Sequence, residues 1–462
     1  MFKRKIEEYL LNWKCNSDKK PLIIKGLRQV GKTFIVKEFA KNNYENAFIV
    51  DFRREESAHS IFDGDFDIDE IVLQLSMLPP RTKLIKDSKM VPYKTIIIFD
   101  EIQDCPNARS SLKYFKEDGR FDVISTGSLL GIRGYRKTNK QFRGIGVGSE
   151  EIIELKPFDF EEFLWAMGIT NEQINVLIGY YNNRKQIPDC LHNIFLGLLK
   201  NYIWIGGMPA VIKKFIETND FLSVRKEQKL LLENYKSDFG THLNDNNEIE
   251  VNEFEKARIL DVLESIPKQL AKENNKFQYS TIKKGADGRT YNDAIDWLKD
   301  YGLITLCYNV SSLEEPLDYF SIKNQFKVYM ADTGLFIAML DDSIPLKIIQ
   351  DDLNIGKGMI YENLIAEIQY KNFKKLYYYS KDSGLELDFV SIINNEITII
   401  ESKAKKGTAK SAKEVLSNPK YNVHKLIKIT SQNIGIADNV LTIPHYLAFY
   451  ILKWFINNEI NI

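Results

Sequence analysis

The chain has 462 residues, which at roughly 100–200 residues per domain is too long for one hydrophobic core and predicts two to four domains. Lysine plus arginine and aspartate plus glutamate both total 63, so the formal net charge is zero. This excludes a protein that binds nucleic acid through a polybasic surface over its whole length. With 44% hydrophobic and 12% aromatic residues, the composition also excludes a disordered or fibrous chain.

The cysteines and histidines argue against disulfides and zinc. The four cysteines lie far apart without a CxxC pair, so we expect reduced thiols in the core. The five histidines have neither HExxH nor HxH spacing, which excludes the zinc hydrolases that carry those motifs. The most apolar segment, residues 443–456, is shorter than the roughly 18 residues that span a bilayer. We therefore expect a cytoplasmic protein without membrane contact.

The first 156 residues alternate short apolar runs with amphipathic segments. Runs rich in β-branched residues and separated by helical patterns are typical of strands buried on both faces of a parallel sheet. The pattern predicts an α/β domain with three layers over residues 1–156. The predicted strands are PLIIKG (21–26), AFIVDF (47–52), TIIIFD (95–100), DVISTGS (122–128) and EIIELKP (151–157).

The remainder of the chain predicts three further regions. Residues 157–240 have helical periodicity, interrupted at GGMP (206–209), and predict a helical subdomain. Residues 241–340 give helices followed by two short strands, which is the order of a winged helix. Residues 341–462 start with a helix and continue with strands, which predicts a separate mixed α/β unit.

A phosphate-binding loop follows the first predicted strand. GLRQVGKT matches GxxxxGK[ST] and lies directly between a buried strand and a helix. The glycines, Gly26 and Gly31, allow the backbone N–H groups to surround phosphate, and Lys32 neutralises phosphate charge. Thr33 presents a hydroxyl to magnesium at a helix N-terminus. The sequence therefore predicts binding of ATP with Mg²⁺.

Two acidic residues end the third predicted strand. Asp100 is expected to hold the magnesium ion, and Glu101 to polarise the attacking water. The alternative is that this pair caps the helix that begins near Pro106.

Polar residues end the fourth predicted strand, and among them Thr126 and Ser128 could sense the γ-phosphate or form a plain turn. Arg133, Arg136 and Arg143 follow, and any one of them could reach the nucleotide of a neighbouring subunit in a homo-oligomer.

These motifs resemble, in order along nearly the whole chain, the prokaryotic AAA-type ATPases that are fused to a C-terminal domain of unknown function. The similar segments are GLRQVGKT, IIIFDEIQDCPNARSSLKYFKEDGRFDVISTGSLLG, LKPFDFEEFLWAMG, YIWIGGMPAVI, SIPKQLAKENNKFQYS, FKVYMADTGL and YENLIAEI. The resemblance implies an ASCE-type P-loop core with a helical and winged-helix middle. It also implies a C-terminal part similar to restriction-endonuclease-like (PD-(D/E)xK) nucleases.

The C-terminal region contains the pattern D-x12-E-x-K. Glu401 and Lys403 lie two apart on a predicted strand and share a face, and a hairpin turn at Asn394-Asn395 can bring Asp388 beside them. Such a group can bind Mg²⁺ through Asp388 and Glu401 and cleave a phosphodiester, with Lys403 stabilising charge. The nuclease resemblance adds Glu362 as an acidic ligand. The alternative is a set of structural ion pairs.

The predicted recognition helix of the winged-helix region is acidic, with Asp293, Asp296 and Asp300 against Lys299, which favours a protein contact over DNA. The leading hypothesis is a Mg²⁺-dependent ATPase that couples its nucleotide state to the nuclease-like domain, acting on DNA or on a protein. One alternative is an ATP-dependent signalling or scaffold switch without nuclease activity. The other is a DNA-processing nuclease for which ATP is permissive.

Overall fold

The computed structural model describes residues 2–128, 148–243, 249–272, 276–352, 356–373, 375–404, 407–437 and 439–450. Within these ranges no helix combines the length and the apolar character that crossing a bilayer requires.

The N-terminal part is built on a five-stranded parallel sheet with the order β2-β3-β4-β1-β5. Its strands are β1 (Leu22–Gly26), β2 (Asn46–Asp51), β3 (Thr95–Asp100), β4 (Asp122–Ser128) and β5 (Glu151–Glu154). Because β4 lies between β1 and β3, the carboxyl ends of these three strands are neighbours at one edge of the sheet. Ligands in open α/β sheets bind at this edge.

Helices cover both faces of this sheet. They are α1 (Ile6–Cys15), α2 (Lys32–Asn43), α3 (Ile68–Ser76) and α4 (Pro106–Asp118). One hydrophobic core joins α1 and α2 to one face, and a second core joins α3 and α4 to the other. The three-layer α/β architecture that the alternating pattern predicts is therefore present.

Five helices follow the sheet, as the helical periodicity predicts. They are α5 (Phe160–Ala166), α6 (Asn171–Asn182), α7 (Asp189–Ile205), α8 (Pro209–Thr218) and α9 (Phe221–Asp238). Capping boxes start α5 at Asp159 and α6 at Thr170, since each side chain accepts from the third backbone N–H of its helix. The GGMP segment separates α7 from α8.

The next region begins with a small hairpin of β6 (Thr241–Leu243) and β7 (Ile249–Val251), followed by α10 (Glu253–Leu270) and α11 (Gly288–Tyr301). The strands β8 (Ile304–Val310) and β9 (Ser321–Met330) then form an antiparallel pair. Two short helices, α12 (Thr333–Ala338) and α13 (Ile344–Ile349), complete it.

The C-terminal sheet is mixed and has eight strands in the order β14-β15-β13-β12-β11-β10-β8-β9. Its remaining strands are β10 (Leu376–Ser380), β11 (Glu386–Ile393), β12 (Glu396–Ser402), β13 (Lys425–Thr430), β14 (Gly435–Ala437) and β15 (Val440–Pro444). The helices of this part are α14 (Lys357–Asn372) and α15 (Lys410–Ser417). β8 pairs with β10 as well as with β9, so this sheet continues across the expected boundary at residue 340.

One large hydrophobic core joins the helical region, α10 and α11 to the inner face of the eight-stranded sheet. β8 and β9 are therefore strands of a larger sheet, whereas the wing of a winged helix is a separate hairpin.

The thiol prediction is only half right. All four cysteines are free, but only Cys105 and Cys307 are buried. Cys15, at the end of α1, and Cys190, at the start of α7, are exposed.

Candidate functional site

The predicted phosphate loop connects β1 to α2 through a tight turn. Gln29 and Gly31 have positive φ angles of 62° and 96°, and the second suits a residue without a Cβ atom. A Cβ atom on Gly26 would lie 2.3 Å from the carbonyl oxygen of Leu155. Both glycines of the motif are thus required by the backbone itself, before any ligand is considered.

Lys32 is buried and folded back onto its own loop. Its Nζ donates to the carbonyl oxygens of Gly26 and Leu27, both at 3.0 Å. Burial lowers the pKa of Lys32 to about 8, although the nearby carboxylates of Glu101 and Asp100 favour its charged form. The ammonium group is therefore kept within the loop by weak, neutral acceptors that a phosphate oxygen can replace.

Asp100 lies at the carboxyl end of β3, where two threonine hydroxyls meet it. Thr33 Oγ1 donates to Asp100 Oδ1 at 2.8 Å, and Thr126 Oγ1 donates to the same oxygen. Burial raises the pKa of Asp100, and the two threonine hydrogen bonds oppose that shift. These bonds direct Asp100 toward the loop and β4 and away from the start of α4.

Glu101 has a left-handed backbone conformation with φ 53° and ψ 47°. Its carboxylate contacts Arg53, whose Nη2 is 3.3 Å from Glu101 Oε2, and also accepts from the Gln103 amide. Arg53 makes a second, shorter contact to Asp104 at 2.7 Å. In this arrangement Glu101 is engaged by Arg53, which follows β2, and by Gln103, in the turn after β3.

Ser128 is buried at the last position of β4. The three candidate arginines, Arg133, Arg136 and Arg143, lie outside the described residues.

The loop is also fixed by contacts that the sequence does not reveal. Arg28 forms an ion pair with Asp238 at the end of α9, and Tyr235 donates to the Arg28 carbonyl oxygen at 3.0 Å. Asp238 in turn accepts from the Tyr301 hydroxyl of α11 at 2.8 Å. No motif signals these partners, because they are more than 200 residues from the loop.

On the loop's other side, Arg4 donates to the carbonyl oxygens of Val30 at 3.3 Å and Lys156 at 2.7 Å. The phosphate loop is therefore connected both to the N-terminal segment and to the chain that leaves β5.

Asp388, Glu401 and Lys403 lie together on the C-terminal sheet. Lys403 Nζ is 2.9 Å from Asp388 Oδ2 and 2.7 Å from Glu401 Oε2. The turn that brings β11 against β12 is the tight pair Asn394 and Asn395, both with positive φ. The two carboxylates are also bonded to backbone N–H groups, Asp388 from Ser402 and Glu401 from Asp388 itself.

Burial raises the pKa of both carboxyl groups. For Glu401 the value is about 7, with burial the main cause, Asp388 adding to it and Lys403 opposing it. For Asp388 the nearby charge of Glu362 is the second cause of the upward shift. The pair therefore lies in an environment where an additional positive charge would be stabilising.

Glu362 lies on α14 and has other partners. It accepts from Tyr329 at 2.5 Å and forms an ion pair with Lys327 at 3.2 Å. Among the described residues, no three histidine, cysteine, aspartate or glutamate side chains are arranged to hold a metal ion. The set of Glu362, Asp388 and Glu401 therefore stays a prediction, and Asp388 with Glu401 supplies the one or two carboxylates that Mg²⁺ takes from a protein.

Comparison with family models divides the chain into three matched regions. Residues 18–164 match an AAA domain. Residues 196–345 match one domain of unknown function, DUF8612, and residues 357–446 match another, DUF4143. No curated protein matches the chain.

Several solved structures show distant similarity. The Drosophila origin recognition complex bound to DNA has 13% identity, a TM-score of 0.27, and coverage of 74% of this chain and 93% of its own. A RuvB mutant from Thermotoga maritima has 10% identity, a TM-score of 0.27, and coverage of 66% and 90%. Pif1 helicase from Bacteroides with ADP-AlF3 and single-stranded DNA has 16% identity, a TM-score of 0.21, and coverage of 44% and 50%.

The family match and the geometry of the loop agree with each other: residues 18–164 match an AAA domain and contain the P-loop motif, which supports a nucleotide-binding ATPase.

Proposed function

We propose that the chain binds ATP with Mg²⁺ at the phosphate loop and hydrolyses it. The observation that carries this proposal is the convergence of Thr33 and Thr126 on one oxygen of Asp100. It places the start of α2, the end of β4 and the end of β3 around one point beside the loop. A hydroxyl and a carboxylate there are oxygen ligands suited to Mg²⁺, which when bound to ATP neutralises phosphate charge.

Lys32 supplies the second positive charge. Its ammonium exchanges the carbonyl oxygens of Gly26 and Leu27 for phosphate oxygens, which are stronger acceptors because they are charged. The loop N–H groups and the N-terminus of α2 add partial positive charge at the same place. Binding is therefore stabilised by charge on three sides of the phosphates.

Glu101 polarises the attacking water in this proposal. To do so it must leave Arg53 and Gln103 and turn toward the γ-phosphate. The contact with Arg53 is long, at 3.3 Å, and Arg53 has the alternative partner Asp104. The release of Glu101 therefore leaves Arg53 with a counter-charge.

The proposal includes coupling of the nucleotide state to the C-terminal part. Movement of the loop acts on α9 through Arg28 and Asp238, and on α11 through Tyr301. On the other side, Lys371 of α14 donates to the carbonyl oxygen of Phe158 at 2.7 Å, close to the end of β5. Because α14 also carries Glu362, it connects the AAA domain to the carboxylate groups of the eight-stranded sheet.

A second candidate activity is phosphodiester cleavage at the C-terminal sheet. The observation in its favour is that two buried carboxylates, Asp388 and Glu401, share a face with Lys403. These residues fit one Mg²⁺, which when bound would activate water, while Lys403 would stabilise negative charge on the phosphate. If the three residues form only ion pairs, the chain is an ATP-dependent signalling or scaffold switch. A nuclease for which ATP is only permissive stays the third possibility.

The partner is DNA or a protein, and the exposed Asp293 and Asp296 of α11 favour a protein there, whereas Asp300 is buried. Lys299 of that helix is paired with Asp296 at 2.6 Å, so its charge is already compensated. A cytoplasmic location and a homo-oligomer that shares its nucleotide sites complete the proposal.

ATP binding by variants of the loop tests the nucleotide site. Lys32→Ala should reduce the affinity for ATP with Mg²⁺ by about two orders of magnitude in calorimetry, because a buried charge-assisted contact is lost. Lys37→Ala, on the same helix, is the matched control and should bind like the wild type. If Lys32→Ala binds ATP normally, the loop is not the site.

Nuclease assays test the second candidate. Purified full-length protein is incubated with Mg²⁺ and plasmid or single-stranded DNA, with and without ATP. Cleavage that Asp388→Ala abolishes and the exposed-loop control Asp382→Ala retains supports the nuclease. Absence of cleavage in the wild type under all conditions, together with ATP turnover, favours the switch.

A further inference from the structure

Lys327 is a buried lysine that reaches the C-terminal carboxylates from outside the region where they were predicted. Its side chain is 1% exposed, and its ammonium lies 3.2 Å from Glu362 and 2.8 Å from Glu386. Lys327 lies on β9, at the edge of the sheet, whereas Glu386 lies on β11, three strands away.

The side chains of Lys327 and Glu386 reach toward each other across the strands between them. Lys327 is paired with Cys307 of β8, and its Nζ is 5.0 Å from the ring centroid of Tyr378 on β10. The stem thus lies on apolar side chains while the charged end lies between two carboxylates. Burying an ammonium group is costly unless it is paired, so its two counter-ions are required.

The arrangement repeats that of Lys403 on the same sheet. Lys403 bridges Asp388 and Glu401, and Lys327 bridges Glu362 and Glu386. A protein also binds Mg²⁺ through one or two carboxylates, so each ammonium group occupies the kind of position that a divalent ion takes. The difference is exposure, since the Lys403 side chain is 29% exposed and can be displaced toward solvent, whereas Lys327 is enclosed.

We propose that the Lys327 ammonium group occupies the position of a second divalent ion. Glu362 then neutralises this ammonium group, and the sheet binds only one divalent ion, at Asp388 and Glu401. The proposal rests on the C-terminal metal site suggested above. It makes Lys327 a positioning residue, acting through Glu362 and Glu386. It also makes the middle region of the chain a contributor to that site.

Binding of Mn²⁺ without nucleotide tests this, measured by calorimetry and electron paramagnetic resonance on the full-length chain. Lys327→Met keeps the apolar stem and removes the charge, which releases Glu362 and Glu386 to a metal ion. We expect Lys327→Met to bind Mn²⁺ about tenfold more tightly than wild type, or to bind one additional ion, because a competing cation is gone. Mn²⁺ should also raise the melting temperature of Lys327→Met more than that of wild type.

The double variant Lys327→Met/Glu362→Gln removes the lysine and also the carboxylate that would bind the metal ion. It should therefore not show the gain in Mn²⁺ affinity. If Lys327→Met folds poorly, Lys327→Met/Glu386→Gln takes its place in the test. It keeps Glu362 and should fold better, because it buries one fewer carboxylate without a counter-charge. A folded Lys327→Met protein that binds ATP but shows no gain in Mn²⁺ affinity contradicts the inference. So does failure of both variants to fold when Mn²⁺ is supplied, because a divalent ion would then not replace the ammonium group.

Wild type and Asp388→Ala separate this inference from the metal site on which it rests. If wild type binds no Mn²⁺ at the C-terminal sheet, the one-ion site is wrong. A gain in Lys327→Met would still show that the lysine occupies a cation position.

Discussion

Arg28 of the phosphate loop forms an ion pair with Asp238 at the end of α9. Asp238 accepts from Tyr301, and the Tyr301 ring is stacked on Trp297 with centroids 4.8 Å apart. Three contacts therefore separate the loop from an indole ring. Because indole emission depends on nearby charge and packing, we expect ATP binding to change the fluorescence of Trp297.

Titration of ATP with Mg²⁺ against intrinsic fluorescence measures this change. The chain has five tryptophans, so Trp297→Phe identifies the contribution of that ring. Asp238→Asn should reduce the change at equal nucleotide occupancy, since the ion pair to Arg28 is lost. An undiminished signal in Trp297→Phe would show that the change arises elsewhere.

The lowered pKa of Lys32 predicts that the affinity for ATP falls as the pH rises above 8. Burial lowers the pKa to about 8, whereas a bound phosphate would favour the charged ammonium and raise it again. Below pH 8 the lysine is charged before binding, and above it binding must take up a proton. Affinity should therefore fall by up to about tenfold per pH unit above 8.

Calorimetry at pH 7 and pH 9, in buffers of different ionisation enthalpy, counts the protons taken up. Lys32→Arg, which stays charged over this range, is the control for pH effects on the rest of the site. Proton uptake at pH 9 by Lys32→Arg equal to that of wild type would assign the titration to another group.

Arg53 contacts Glu101 at 3.3 Å, so its removal should free Glu101 for the proposed catalytic orientation. Arg53→Ala is expected to raise kcat a few-fold with little change in KM, because the contact concerns Glu101 and not the phosphates. Arg54→Ala is the matched control, since it removes the same charge from the neighbouring position. A loss of kcat in Arg53→Ala would instead give Arg53 a direct role in hydrolysis.

Gly334 allows two backbone segments to touch where α7 ends and α12 begins. A Cβ atom there would lie 2.4 Å from the Gly206 Cα atom and from the Ile205 carbonyl oxygen. Gly334→Ala should therefore lower the free energy of unfolding by about 2–3 kcal/mol or prevent folding. Gly179→Ala in α6 has open space around it and should be neutral or stabilising by up to about 1 kcal/mol. Chemical denaturation of both variants makes the comparison, and equal stability would contradict the close approach.

Local patterns predicted where the residues of the proposed nucleotide site lie. Lys32 and Thr33 follow a buried strand in a fixed motif, and Asp100 ends another such strand, so their positions follow from chain connectivity. The strand order then brings Thr126 beside them. By contrast, Arg28 and Asp238 meet through the packing of α9, and Lys327 meets Glu362 through a sheet that joins β9 to β11. Such pairings depend on tertiary packing of distant segments, which no local periodicity encodes.

The division of the chain was harder to predict for the same reason. The helix-then-strand order over residues 241–340 fits a winged helix, yet β8 has a second partner, β10, that comes about 70 residues later. A strand sequence shows that it is buried but not which strand it pairs with.

Hydrolysis under single-turnover conditions tests the central claim most directly. Glu101→Gln keeps the size of the side chain and its hydrogen bonds but removes the carboxylate that polarises water. With ATP and Mg²⁺ in the pre-formed complex, we predict that Glu101→Gln binds ATP like the wild type and releases phosphate about 10² to 10³ times more slowly. Phosphate release by Glu101→Gln at the wild-type rate would contradict the assignment of hydrolysis to this site.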